Sequence, residues 1–316
     1  MEKMVAPRDA FGKALVKLGK VNKNVVVLDG DLANTTKTGM FAEKYPERFF
    51  QVGIAEQNMM SIAAGLATIG KIPFATTLGA LASKRACDQV SISIAYPRLN
   101  VKVVGVYVGL FTGKTGATHQ SIQDMAIMRS MPNMMVVSPA DGIETEKAVR
   151  AVSEYVGPVY LRLERDEMPL IYSQDHPFTL GKGVLLKKGE DLTIISTGVM
   201  VAKSIQAAVF LEKENIKARV INIHTIKPID KKIVIEAAYE TGAIVTAENH
   251  NIIGGLGSAI AEILVEEIPI PMKRVGIIDR FGESGSNEDL LEMFKMRVSD
   301  IIEAAKIVLE KKRRSE

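Results

Sequence analysis

At 316 residues the chain is about twice the usual length of one domain, so two domains are expected. Its 40 basic and 37 acidic residues are interspersed to a net charge of +3, which excludes a nucleic-acid binder working through one basic stripe. One cysteine, Cys87, excludes an intrachain disulfide and suits a reducing compartment, and no apolar run reaches the ~20 residues of a membrane span.

The opening MEKMVAPRDAF lacks the apolar stretch of a signal peptide, so a cytoplasmic chain is expected. Residues 8–20 then have the spacing of an amphipathic helix, and 24–28 (NVVVL) that of a buried strand. Residues 59–69 carry apolar and small side chains all round, which predicts a buried helix. A strand at 73–77, a helix over 82–95 and strands over 101–108 and 134–138 precede a helix at 141–152. This order implies a mostly parallel sheet with helices on both faces.

Periodicity lapses over 164–190, where Pro169, Pro177, Gly181, Gly183 and Gly189 punctuate a polar stretch. We therefore expect a first domain over 1–168, a linker over 169–190 and a second domain over 191–316. The second repeats the alternation, with strands at 192–197, 218–222, 243–248 and 272–277 and helices at 200–214, 231–241, 257–266 and from about Asp289. The fold class is α/β, with two doubly wound domains. The tail KKRRSE (Lys311 to Glu316) reads as a solvated, frayed helix end.

The most informative stretch, RFFQVGIAEQNMMSIAAGLA, begins at Arg48. A strand-like approach ends at Gly53, and Glu56 stands where a helix begins. By position alone Glu56 is an acid favoured by the helix dipole. Ala63, Ala64, Gly65 and Ala67 are small enough for that helix to press close to a neighbour.

VGIAEQNM followed by AAGLA resembles the pyrimidine-binding segment of transketolases and their thiamine-diphosphate relatives. LDGDLANTT, THQSIQDMAIMRSMPNM, SPADGIETEKAV, LRLERDEMP, TIKPID, ENHNIIGGLGSAIAE and DRFGESG extend the likeness over nearly the whole chain. The resemblance implies a pyrimidine-binding domain followed by a transketolase C-terminal domain. It implies that Glu56 shares a proton with the cofactor's aminopyrimidine nitrogen, which asks for an apolar, partly desolvated setting such as Met59, Met60 and Ile62 would provide. It also puts Asp31, Gly53 and Ile54 beside the cofactor and His119 in the active-site channel as a second catalytic residue. Arg8, Thr35 and Arg165 fall on positions that contact substrate phosphate; salt bridges are the alternative use of the two arginines.

Several positions depart from the family pattern. Leu78 and Leu81 stand where two phenylalanines usually stack on the pyrimidine, so the aromatic contribution of about 0.5–1.5 kcal/mol per pair is lost. Tyr107 replaces a histidine that helps with substrate phosphate, and Thr115, beside Lys114, replaces an aspartate that reads a sugar hydroxyl. The exchange makes the pocket more positive and points to a branched, deoxy or sulfonated sugar rather than the standard sugar phosphates.

Nothing resembles the GDG…N motif that holds the diphosphate and its metal, and no cluster of Asp, Asn and Glu offers another oxygen cage. The resemblance thus implies thiamine diphosphate with Mg2+ or a similar ion held mainly by a separate transketolase N-terminal subunit. It also implies self-association of this chain, with two copies of each chain in the assembly. Two other readings stay open: a deoxyxylulose-phosphate synthase or 2-oxoacid dehydrogenase beta type of subunit, and a non-catalytic regulatory paralogue. The glycine run at 254–257 reads as close packing and a helix start, His224 and His250 as structural, and Met125, Met128, Met131, Met134 and Met135 as core.

Overall fold

The computed structural model describes residues 3–315; Met1 and Glu2 of the opening and the last tail residue, Glu316, lie outside the described residues. The first half contains β1 (Met4–Val5), α1 (Pro7–Val21), β2 (Val25–Asp29), α2 (Ala33–Thr36), α3 (Gly39–Lys44), β3 (Phe49–Gln51), α4 (Glu56–Thr68) and β4 (Ile72–Leu78). It continues with β5 (Lys102–Val106), α5 (Asp124–Ser130), β6 (Met135–Val137), α6 (Gly142–Glu154), β7 (Val159–Leu163) and β8 (Met168–Pro169). Then come β9 (Val184–Lys187), β10 (Leu192–Ser196), α7 (Met200–Glu212), β11 (Ala218–Asn222), β12 (Thr225–Lys227), α8 (Lys231–Thr241) and β13 (Ile244–Asn251). Last are α9 (Leu256–Glu267), β14 (Met272–Ile277), α10 (Asn287–Met293) and α11 (Val298–Ser315).

Seven strands form the first sheet in the order β12-β6-β7-β5-β4-β2-β3, parallel except for β12. Every residue of β2, β5 and β7 is buried, as a parallel sheet covered on both faces requires. Phe11 and Leu15 of α1 and Val149 and Val152 of α6 cover one face. Met59 and Met60 of α4 and Met125 and Met128 of α5 belong to the core on the other. Met131, Met134 and Met135 are buried too, so the methionine-rich stretch is core as expected. The second sheet runs β14-β13-β10-β11-β9, with β9 antiparallel.

Five details differ from the sequence expectations. Residues 82–95 are not one α-helix: they lie in two π-helical stretches, Leu81–Arg85 and Gln89–Ala95, with i→i−5 bonds such as Ala86 N–H to Leu81 O at 3.1 Å. Helix α4 is not buried all round, since Ser61, Ile62, Gly65 and Thr68 are exposed. The expected linker contains β9, which completes the second sheet. β12 leaves the second half of the chain to pair antiparallel with β6, so the first sheet is closed by a strand from beyond the linker. The terminal helix is two helices, and α11 stays helical to Ser315; Lys311, Arg313 and Arg314 are exposed as expected of a solvated end, while Lys312 Nζ donates to Asp191 O at 3.4 Å.

Buried polar side chains tie the halves together. Glu144, fully buried in the first turn of α6, accepts from Ala140 N at 2.6 Å and from Asn222 Nδ2 of β11 at 3.0 and 3.1 Å. Loss of hydration pushes its carboxyl up to about 8. Asn222 Oδ1 has no partner, so a neutral acid or amide at 144 suits this contact. Between about pH 5 and 8 the folded chain holds a proton on Glu144 that the unfolded chain has released, so this contribution to stability is lost as pH rises. Glu144→Gln, neutral throughout, is therefore expected to gain stability relative to wild type across that window by up to about 1.4 kcal/mol per pH unit. Denaturant titrations at a series of pH values check this; a difference flat with pH would count against it.

Both second-half histidines are structural, as expected. His224 bonds Thr225 Oγ1 at 2.9 Å and stacks on Phe178, and His250 Nδ1 donates to Asn251 O at 2.6 Å. Burial lowers both rings to about 4, leaving them neutral at physiological pH. The glycine run opens α9, whose Leu256 and Gly257 N–H groups donate to the Glu248 carboxylate at 2.8 Å each. The seat a phosphate would take at this helix start is already filled by the Glu248 side-chain carboxyl group.

Candidate active site

The parallel strands of the first sheet release their chains at one edge, and most of the predicted site residues follow a strand end. Asp31 comes after β2, Gly53, Ile54 and Glu56 after β3, Leu78 and Leu81 at and after β4, Tyr107, Thr115 and His119 after β5, and Arg165 after β7. Carboxyl ends of parallel strands are where open α/β sheets bind ligands.

Glu56 opens α4 and is only 1% exposed. Its Oε2 accepts from Arg85 Nη1 at 2.8 Å, while Oε1 is buried with no partner. The expected apolar setting is thus half right. Met59 and Met60 are fully buried, but Ile62 is 37% exposed and a guanidinium stands beside the carboxylate. Arg85 was not anticipated from the sequence, because a basic residue in a stretch read as α-helix carries no sign of which strand end it will reach. Gly53 has φ of +78°, and a Cβ built there would meet nothing within 4 Å, leaving open space before the helix. Ile54 is 74% exposed, Leu78 is buried, and Leu81 is half-buried in the same apolar cluster as Leu78 and Tyr107.

Two of the three expected phosphate contacts, Arg8 and Arg165, meet at Tyr107, and the third, Thr35, is tied to Arg8. Arg8 Nη1 donates to Tyr107 Oη at 3.0 Å and to Thr35 O at 3.3 Å. The guanidinium carbons of Arg8 and Arg165 lie 5.5 and 5.0 Å from the centre of the tyrosine ring. Tyr107 adopts φ of +60°, a left-handed conformation that costs a bulky residue about 1–3 kcal/mol and is tolerated where surrounding contacts over-determine it. Nε of both arginines is buried without a hydrogen bond. Arg8 and Arg165 thus gather at one ring, and Arg165 Nε also lies 3.7 Å from Asp166 Oδ1, the salt-bridge use that was the alternative for this residue.

Thr115 joins this group through a shared acceptor: its Oγ1 and Arg165 Nη1 both donate to Thr112 O, at 3.1 and 3.3 Å. An open depression of about 470 Å³ lies against Arg165, Lys114 and Thr115 and is bordered by residues 285–287 from beyond the linker. His119 is exposed, and its Nδ1 is 2.8 Å from Thr118 Oγ1, with no bond to Glu56 or the arginines. Asp31 is also exposed, with φ of +66°, and its N–H donates to Gln51 Oε1 at 2.7 Å.

The acid that shapes this loop is Asp29, which sequence reasoning passed over for Asp31. Fully buried at the end of β2, it accepts from Leu32 N at 2.6 Å, Thr36 Oγ1 at 2.7 Å and Thr38 Oγ1 at 2.8 Å. Burial raises its carboxyl above the usual range although these bonds pull the other way. The alternation of a strand puts Asp29 and Asp31 on the same side, so only the loop's reversal separates them.

Residues 3–170 match the transketolase pyrimidine-binding domain, and residues 181–301 match the transketolase C-terminal domain. The chain belongs to the transketolase family. It is 45% identical over 305 residues to a 6-deoxy-6-sulfo-D-fructose transketolase subunit of Clostridium sp. (strain MSTE9), covering 96% of this chain and 95% of the relative. Rat (Rattus norvegicus) transketolase is 37% identical over 311 residues, 97% of this chain but 49% of that longer protein. A solved structure described as a split gene transketolase, inactive beta4 tetramer, superposes with a TM-score of 0.91 at 49% identity, covering 97% of this chain and 99% of that one.

Transketolases depend on thiamine diphosphate, and the chain's residues fit its pyrimidine end. The orphaned Oε1 of Glu56 is a buried acceptor awaiting a donor, Leu78 and Leu81 supply apolar surface, and Gly53 leaves room. Among the described residues no group of three or more His, Cys, Asp or Glu is placed to hold a metal ion, and no helix is long and apolar enough to cross a membrane.

Proposed function

We propose that the chain is the C-terminal subunit of a two-chain transketolase that moves a two-carbon ketol unit from a ketose to an aldose. The observation that carries this reading is the buried Glu56 with one oxygen spoken for and the other free. Residues 1–168 serve as the pyrimidine-binding domain, and the chain from β9 onward serves as the transketolase C-terminal domain. When bound, thiamine diphosphate supplies the carbon nucleophile. Glu56 Oε1 accepts from the pyrimidine ring nitrogen and holds the shared proton there, acting as an acid–base group. Leu78 and Leu81 cover the ring and exclude water, and His119 lines the approach. An N-terminal subunit provides the diphosphate and metal half, so each site is completed between chains.

The exposed apolar residues near the site support assembly. Ile54, Ile62 and Ile69 on and around α4 and Ile92 and Tyr96 on the second π-helical stretch are 74%, 37%, 71%, 59% and 80% exposed. They suit a self-associating surface, with Gly65 offering open space for close approach.

For the substrate, Arg8, Thr35 and Arg165 would take an anionic end, while Tyr107 and Thr115 in place of the usual histidine and aspartate favour an acidic sugar other than the standard pair. The similarity to a subunit named for a sulfo-sugar supports a sulfonated or otherwise modified substrate. Arg165→Ala is expected to raise KM for the anionic ketose by about 10–100-fold with a smaller change in kcat, the pattern of lost uniform binding. Steady-state kinetics checks it, and equal losses in kcat would remove Arg165 from the substrate seat. Xylulose 5-phosphate and ribose 5-phosphate emerging as the best pair by a wide margin would refute the modified-sugar reading.

The deciding experiment is calorimetry of thiamine diphosphate with magnesium, on this chain alone and then mixed with its amino-terminal partner. Binding and ketol transfer in the mixture alone are expected. No binding in the mixture would make the chain a non-catalytic paralogue.

A further inference from the structure

We propose that Arg85 is a positioning residue for Glu56, fixing which carboxylate oxygen is offered to the cofactor. This deepens the proposed function and rests on the role given there to Glu56.

A carboxylate that is 1% exposed is expected to have both oxygens satisfied, since an orphaned buried acceptor is costly. Glu56 is satisfied on one side only. Arg85 Nη1 takes Oε2 at 2.8 Å, and Oε1 stays buried and bare. The bare oxygen lies at the foot of α4, where Gly53 leaves open space ahead of the helix. With the guanidinium holding Oε2, the carboxyl group is turned so that Oε1 is the oxygen left to meet the ring nitrogen.

The backbone supplies a second, independent sign. Arg85 closes the first π-helical stretch, Leu81–Arg85, where Ala86 N–H bonds back five residues to Leu81 O. Such widened turns are rare and frequently occur at functional sites. The same turn carries Leu81, one of the two leucines set to cover the pyrimidine. Arg85 itself is 48% exposed, so the pair is not sealed into the core, and the guanidinium reaches inward from the rim.

The test is a double-mutant cycle on thiamine diphosphate affinity, measured by calorimetry with magnesium on the two-chain complex. Arg85→Ala is expected to weaken binding by about 10–100-fold, the loss of one charge-assisted hydrogen bond. Arg85→Lys is expected to recover most of that loss by restoring a point charge. In a Glu56→Ala background Arg85→Ala is expected to add less than about threefold, because the arginine acts through the missing acid. Should Arg85→Ala fail to fold, Arg85→Lys and Arg85→Gln take its place in the cycle, lysine retaining affinity and glutamine losing it. Affinity within twofold of wild type in Arg85→Ala, or an equal loss with and without Glu56, would overturn the inference. If Glu56→Ala itself binds the cofactor normally, the role of Glu56 in the proposed function fails, and the two failures are told apart.

Discussion

Glu56→Gln in the assembled two-chain enzyme is expected to lower kcat at least about hundredfold, the lower bound of what a positioned acid–base group contributes. Glutamine keeps the size and shape of the side chain and can still accept from Arg85, but it cannot carry the charge that holds a proton at the pyrimidine nitrogen. The substitution also removes a buried carboxylate, so thermal stability should fall little. A variant with more than a tenth of wild-type kcat would show that the buried acid is structural. Because the acid stands at a helix start, loss of activity with an unchanged thermal midpoint separates its chemistry from its part in the helix.

Arg162→Leu should be the most damaging single change to the fold. The guanidinium is 1% exposed, donating from Nε to Asp124 Oδ2 at 2.8 Å and from Nη2 to Asn249 O at 2.7 Å, with Glu164 Oε1 3.5 Å from Nη1. Asp124 also accepts from Tyr160 Oη at 2.8 Å, and its other oxygen is unpartnered, 3.8 Å from His250 Nε2. Removing the cation leaves a fully buried aspartate without compensation, at a cost of about 3–5 kcal/mol. Urea denaturation checks this, with Arg150→Leu as a control. Arg150 meets Glu154 across an exposed helix turn, a pair worth about 0.3–0.5 kcal/mol. A loss below 1 kcal/mol for Arg162→Leu would refute the account, and adding Asp124→Leu should restore part of the stability.

The alternation of strands and helices was legible because β-branched runs such as NVVVL and amphipathic stretches such as α1 satisfy their own local geometry. Short elements were not: α2, α3, β3 and β12 have too few residues to show a period. β12 gains its place by pairing with β6 of the other half, a contact no local pattern encodes. The π-helical stretches escaped for a similar reason, since their residues have the composition of an α-helix and only the carbonyl five residues back distinguishes them.

Within the site, the sequence by itself determined the family and which residue types stand at the strand ends, because motifs such as VGIAEQNM record chemistry that tolerates few substitutes. Tertiary structure decided who meets whom. It paired Glu56 with Arg85, 29 residues away, and gathered Arg8, Tyr107 and Arg165 from three separate elements around one ring. It also made Asp29, not Asp31, the buried anchor of its loop. Local spacing dictates helix and strand because their periods are short. Hydrogen-bond partners and burial depend on how distant strands and helices pack, and that is settled only when the whole chain has folded.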